Sequence, residues 1–189
     1  MSAALALAPE LDYHGEICRA MEWLGAQERV VFLGQGVGNP GTGLSASLEG
    51  VPAAKRVELP VAEEMQVGMC VGMSLRGHVP VCVIPRWNFA LRAADQIVNH
   101  LDRLPLYSGG AYQPKVIIRV AAPSTSPFNP GTQHDADFTQ AFRLMLRTVR
   151  VETLDRAEDA VPMYQWAFGS PLSTIIVEYS DHYRNARGK

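Results

Sequence analysis

Apolar residues recur along this chain in two alternating rhythms. Over 11–25, Ile17, Met21 and Leu24 fall at three- and four-residue spacing, which predicts a helix. Val30-Val31-Phe32-Leu33, inside 29–34, is an unbroken apolar run that predicts a buried strand, and 55–59 predicts a second. A helix follows. Pro60 suits its start, Glu63 and Glu64 suit the positive end of its dipole, and Gly77 is placed to close it. From Glu64 to Arg76 this helix carries no charge, and Gly68 and Gly72 share one face. Each glycine costs about 1 kcal/mol against alanine in a helix interior, so the pair predicts close approach of another backbone, in another subunit.

The alternation continues. Val79-Pro80-Val81-Cys82-Val83-Ile84 predicts a third strand, with Trp87-Asn88-Phe89 at its end. Ala90, Ala93, Ile97 and Leu101 predict a helix over 89–104, and 115–120 a fourth strand. Residues 121–133 are a loop with Pro123, Pro127 and Pro130, ending in Gly131-Thr132-Gln133 before His134. Asp135 or Asp137 caps a helix carrying Phe138, Phe142 and Met145. A strand over 149–154, a helix from Asp155 to about Phe168 and a last strand over 173–179 complete the pattern. Strands alternating with helices predict an α/β fold, a three-layer sandwich with a mostly parallel central sheet. In such sheets ligands sit outside the carboxyl ends of strands. Glu63, Trp87-Asn88-Phe89 and the loop before His134 all follow strands, so they converge at one rim.

Composition narrows the class. The chain has 189 residues, 47% of them apolar, and a formal net charge of −2. That length suits one domain over 1–189 with a core at about 11–180, and the charge gives no broad attraction to nucleic acid or membrane. Cys18, Cys70 and Cys82 lie far apart without metal-ligand spacing and read as reduced packing residues of a cytoplasmic protein. The amino end, Ser2 to Pro9, lacks the basic leader of a signal peptide, and no apolar run is long enough to span a bilayer. The basic run Arg184-Asn185-Ala186-Arg187-Gly188-Lys189 reads as a solvated tail. Gly36, Gly38, Gly41 and Gly43 make 35–45 glycine-rich, but the segment lacks the Lys-Ser/Thr of a P-loop.

Leu59-Pro60-Val61-Ala62-Glu63 with Gly68 and Gly72, then Asn88-Phe89, then Asp95-Gln96-Ile97-Val98-Asn99, Arg119 and Gly131-Thr132-Gln133-His134 form a longer pattern. In it the chain resembles the pyrimidine-binding domain of transketolase-like thiamine diphosphate enzymes. The likeness is closest to the beta subunit of the first component of 2-oxo acid dehydrogenases, of the pyruvate dehydrogenase type. The resemblance implies one pyrimidine-binding subunit of a two-subunit enzyme that cleaves a carbon–carbon bond next to a carbonyl. The reaction class is 2-oxo acid decarboxylation or ketol or acyl transfer. Glu63 then matches the acid that hydrogen-bonds the cofactor's aminopyrimidine and promotes the ylid. Trp87 and Phe89 match the aromatic segment on the pyrimidine, and His134 matches a histidine near the substrate carbonyl.

The family's beta subunits continue into a further α/β domain, whereas this sequence stops at Lys189. It also lacks the Gly-Asp-Gly and following Asn that hold magnesium and the diphosphate. The resemblance therefore implies that Mg2+ is held by a diphosphate-binding alpha-like partner in an α2β2 heterotetramer, with no metal ligands in this chain. Two other readings compete. One is a non-catalytic regulatory or scaffolding relative. The other is a nucleotide-binding α/β module built on the glycine-rich segment.

Overall fold

The computed structural model describes residues 11–39, 41, 43–123, 129 and 131–186. The signal-peptide reading of the amino end, Pro127 and Pro130 of the loop, and the last three residues of the tail lie outside them. In chain order the elements are α1 (Tyr13–Ala26), β1 (Val30–Gly34), α2 (Gly43–Ala46), β2 (Arg56–Glu58), α3 (Glu63–Leu75), β3 (Val79–Ile84) and α4 (Trp87–Ala90). Then come α5 (Leu104–Tyr107), β4 (Ile117–Ala122), α6 (Thr139–Met145), β5 (Arg150–Leu154), α7 (Ala160–Gly169) and β6 (Thr174–Tyr179).

The six strands pair in the order β2-β1-β3-β4-β6-β5, all parallel. Side chains alternate across the sheet, so each strand feeds two cores. Phe32, Val81, Val83, Ile117 and Ile176 pack with α1 and α7 on one face. Leu33, Cys82, Ile84, Ile118, Val120 and Val177 pack with α3, α6 and the segment after β3 on the other. This burial on both faces is why the strands read as continuous apolar runs.

Several element ends differ from the sequence reading. α3 begins at Glu63, with Ala62 as its N-cap, so Pro60 precedes the helix rather than starting it. Its C-terminus closes as expected. Gly77 has φ 92°, its N–H donates to Ser74 O, and His78 N–H donates to Met73 O. The helix expected over 89–104 is instead α4, a 3-10 turn at Leu91–Ala93, a π turn at Gln96–Leu101, and then α5. The spacing of Ala93, Ile97 and Leu101 fits an α-helix and a π turn almost equally, so pattern alone does not separate them. Neither Asp135 nor Asp137 is the N-cap of α6; that position is Phe138, without a side-chain cap, and Asp137 just before it accepts from Thr139 N at 2.8 Å through Oδ1. Asp155 caps nothing, because a 3-10 turn at Ala157–Asp159 intervenes before α7.

Candidate functional site

The strand order places β1 between β2 and β3. The chain leaves β1 toward one side and returns on the other, so a crevice opens at the carboxyl ends of β1 and β3. At that point Gly34 on β1 pairs with Val83 on β3. A Cβ on Gly34 would lie 2.5 Å from Val83 O, so only glycine lets the strands run this close.

Glu63 opens α3, one turn before Gln66, whose side chain reaches the crevice. Glu63 is half-buried. Among the described residues its carboxylate has no hydrogen bond or ion pair. Glu64 is exposed. Gln66, one turn on, is buried at 2% exposure. Its Nε2 donates to Val83 O at 2.9 Å and Leu33 O at 3.3 Å, with Cys82 Sγ at 3.1 Å.

The segment after β3 supplies Phe89, half-buried, whose ring meets that of His134 at 5.3 Å and 71°. The loop after β4 supplies His134, tied into its turn by its N–H to Gly131 O at 3.0 Å. Two residues expected at the rim from separate parts of the sequence are therefore in contact. His134 Nδ1 and Asn88 Oδ1 are both buried without a hydrogen-bond partner among the described residues. Buried polar atoms are nearly always paired, so two orphans near one aromatic pair point to a ligand or water that completes them.

Trp87 is placed differently from its neighbour. It is 1% exposed, its ring lies 4.8 Å from that of Phe142, and its Nε1–H donates to Thr139 Oγ1 at 3.1 Å. The indole is a core side chain, whereas Phe89 is only half-buried.

The glycine-rich segment serves its own chain. Gly36 N and Gly38 N donate to Glu58 Oε1 and Oε2 at 2.7 and 2.6 Å. Two amides that a phosphate would need are thus taken by a carboxylate at the end of β2, which clamps the loop beside the entrance to α3. Among the described residues no group of three or more His, Cys, Asp or Glu side chains is arranged to hold a metal ion. Nor is any helix among them long and apolar enough to cross a membrane.

No protein-family model matches the chain. Over 164 residues it is 28% identical to the 3-methyl-2-oxobutanoate dehydrogenase subunit beta of Mycobacterium tuberculosis, covering 85% of this chain and 46% of that protein. Over 162 residues it is 29% identical to the pyruvate dehydrogenase E1 component subunit beta of Leifsonia xyli, covering 84% and 47%. The chain is homologous to the beta subunits of 2-oxo acid dehydrogenases. It spans about half the length of these curated relatives. The fold also matches that of a split-gene transketolase, solved as an inactive beta4 tetramer, with a TM-score of 0.69 at 18% identity over 90% of this chain and 52% of that one.

Within this beta-subunit homologue, the sequence reading named Glu63, Asn88, Phe89 and His134 for the rim but did not name Gln66 or Glu58. Gln66 had a signal. It is the one amide on the uncharged stretch of α3, three residues beyond Glu63. Glu58 had none, because its partners lie 20 and 22 residues away in a loop without regular structure.

Proposed function

We propose that this chain is the pyrimidine-binding subunit, a single domain, of a two-subunit thiamine diphosphate-dependent enzyme acting on a 2-oxo acid or ketose. The observation that carries the reading is Glu63, a half-buried carboxylate without a partner among the described residues, on the first turn of the helix that Gln66 ties to β1 and β3. A partly buried carboxylate with open acceptor positions is suited to a hydrogen-bonding ligand. The Phe89–His134 pair and the orphaned Asn88 Oδ1 and His134 Nδ1 support a ligand with an aromatic face and polar edges, which an aminopyrimidine has.

When bound, thiamine diphosphate supplies a nucleophilic carbon for attack on a carbonyl. Glu63 hydrogen-bonds the pyrimidine edge and holds or releases a proton at its carboxyl oxygen. Phe89 offers the pyrimidine an apolar face, and Trp87, buried on Phe142 and Thr139, fixes the start of the segment that carries Phe89. His134 holds or gives a proton at a ring nitrogen toward the substrate carbonyl. Mg2+ and the diphosphate fall to an alpha-like partner in an α2β2 heterotetramer. The printed names of the relatives, which are subunits of larger enzymes, support this division. Three free thiols support a reducing, cytoplasmic setting.

The test compares Glu63→Gln with Glu64→Gln in the complex with the diphosphate-binding partner. Adjacent helix residues point about 100° apart, so both carboxylates cannot face one ring. Hydrogen–deuterium exchange at the thiazolium carbon, followed by NMR after acid quench, should be nearly abolished in Glu63→Gln and little changed in Glu64→Gln. Wild-type exchange in Glu63→Gln, with the fold preserved, would overturn the reading and favour a scaffolding relative.

A further inference from the structure

We infer that Gln66 is the positioning residue for Glu63, setting the rotation of α3 over the point where β1 and β3 separate; this rests on the reading of Glu63 given above. Nothing local fixes the start of α3, because Ala62 is the N-cap and provides no side-chain cap. The first turn is instead tied down by Gln66. Its amide nitrogen reaches Leu33 O on β1 and Val83 O on β3, so one side chain spans both strands that bound the crevice.

The neighbours are shaped to this bond. A Cβ on Gly34 would lie 3.1 Å from Gln66 Nε2 as well as against Val83 O, so the glycine that brings the strands together also leaves room for the amide. Cys82 Sγ at 3.1 Å closes the remaining side.

Rotation matters here because Glu63 and Glu64 are adjacent. A turn of α3 by one residue's step, about 100°, exchanges the carboxylate that faces the rim. The buried Val67 and Cys70 resist a full step of that size, and the Gln66 hydrogen bonds add a finer restraint, because a hydrogen bond loses strength steeply as its angle bends. The rest of the buried α3 face is Val67, Cys70 and Ser74. Ser74 Oγ accepts from Lys115 N–H near the far end of the helix, so Gln66 is the directional side-chain bond at the end that carries Glu63.

The test uses Gln66→Met, which fills the slot with an unbranched side chain and removes the donor, with Gln66→Leu as a second variant. Both are measured in the partner complex loaded with thiamine diphosphate and Mg2+, beside Glu63→Gln. Thiazolium-proton exchange should fall about tenfold, inside the ~10²-fold that a 1 Å misplacement can cost. Thiamine diphosphate affinity by titration calorimetry should move less than twofold. A merely structural Gln66 would lower thermal stability and leave the exchange rate of the folded complex unchanged. Slow exchange in Glu63→Gln with wild-type exchange in both Gln66 variants would overturn the positioning role alone. Wild-type exchange in Glu63→Gln would overturn the reading of the site and this inference with it. Parallel loss of affinity and exchange, or failure of both Gln66 variants to fold, would assign Gln66 to the fold and overturn the positioning role.

Discussion

His134 keeps Nδ1 buried and without a partner among the described residues, while its ring packs against Phe89. A histidine that served only to shape its loop would satisfy that nitrogen locally, on a backbone carbonyl or an aspartate. Asp135 is adjacent, yet it is exposed and gives no bond to the ring. His134→Ala should therefore leave thiamine diphosphate binding nearly intact in the complex. It should slow turnover by about 10²-fold, the lower end for a lost acid–base group. Steady-state rates beside a cofactor titration check it, and wild-type turnover in a folded variant would return His134 to a loop role. Trp87 makes the opposite point. It follows β3 as Phe89 does, yet its indole is buried and its N–H is satisfied inside the core by Thr139, 52 residues away.

At the scale of elements, β4, β6 and α7 are held by one buried ionic cluster. Arg119 on β4 is bidentate to Glu178 on β6, Nε to Oε1 at 2.7 Å and Nη2 to Oε2 at 2.9 Å. Ser47 Oγ accepts a further bond from Nη2 at 3.0 Å. Tyr164 of α7 and Tyr183 of the turn Ser180–Ala186 donate their hydroxyls to the same carboxylate. Burial alone pushes the Glu178 carboxyl up, but the Arg119 charge and the donors around it outweigh burial and hold it below the ordinary 4.5. A depressed carboxyl stabilises the fold fully above its unfolded value and loses that contribution as pH falls through its folded value. Wild type should therefore lose more stability than Glu178→Gln between pH 6 and pH 3, read as urea midpoints. Near neutral pH, Glu178→Gln should be the less stable by about 3–5 kcal/mol, the usual cost of breaking a buried pair from one side. Parallel pH dependences would show that the pair does not carry the acid sensitivity.

At the scale of the whole molecule, α3 turns a small-residue, apolar surface outward. Met65, Met69 and Leu75 are exposed on it, as is Val61 just before it, and a Cβ on Gly72 would meet nothing within 4 Å. Gly68 differs, since its Cβ would reach Gln96 Oε1 of the π turn at 3.6 Å, an ordinary contact. The close approach expected of the two glycines is thus not used within this chain at Gly72. Gly72→Leu should leave the isolated chain folded and as stable as wild type. In the complex it should weaken assembly by about 1–3 kcal/mol, the typical cost of overpacking a fitted contact. Light scattering with the partner present measures this, and an unchanged mass across a dilution series would remove Gly72 from any interface.

The alternation of apolar runs determined the α/β class, because a strand buried on both faces and a helix buried on one leave different periods in the sequence. Local chemistry determined the close of α3 at Gly77, where the left-handed backbone favours glycine and the bonds reach only five residues. Glu63 was legible for a related reason, since a carboxylate at a helix start followed by an uncharged run stands out within a few residues. The π turn at Gln96–Leu101 was not legible, because its apolar spacing also satisfies an α-helix and the choice falls to packing against α3. The start of α3 was misread for the same cause, as Pro60 is compatible with a helix but the chain arriving from β2 sets where the helix begins. Only the tertiary structure decided that Trp87 is buried on Thr139, that Glu58 fills the glycine loop, and that Gln66 bridges β1 and β3. Each depends on partners 16 to 52 residues away. Pairing over such distances is set by strand order and register, which no local pattern encodes.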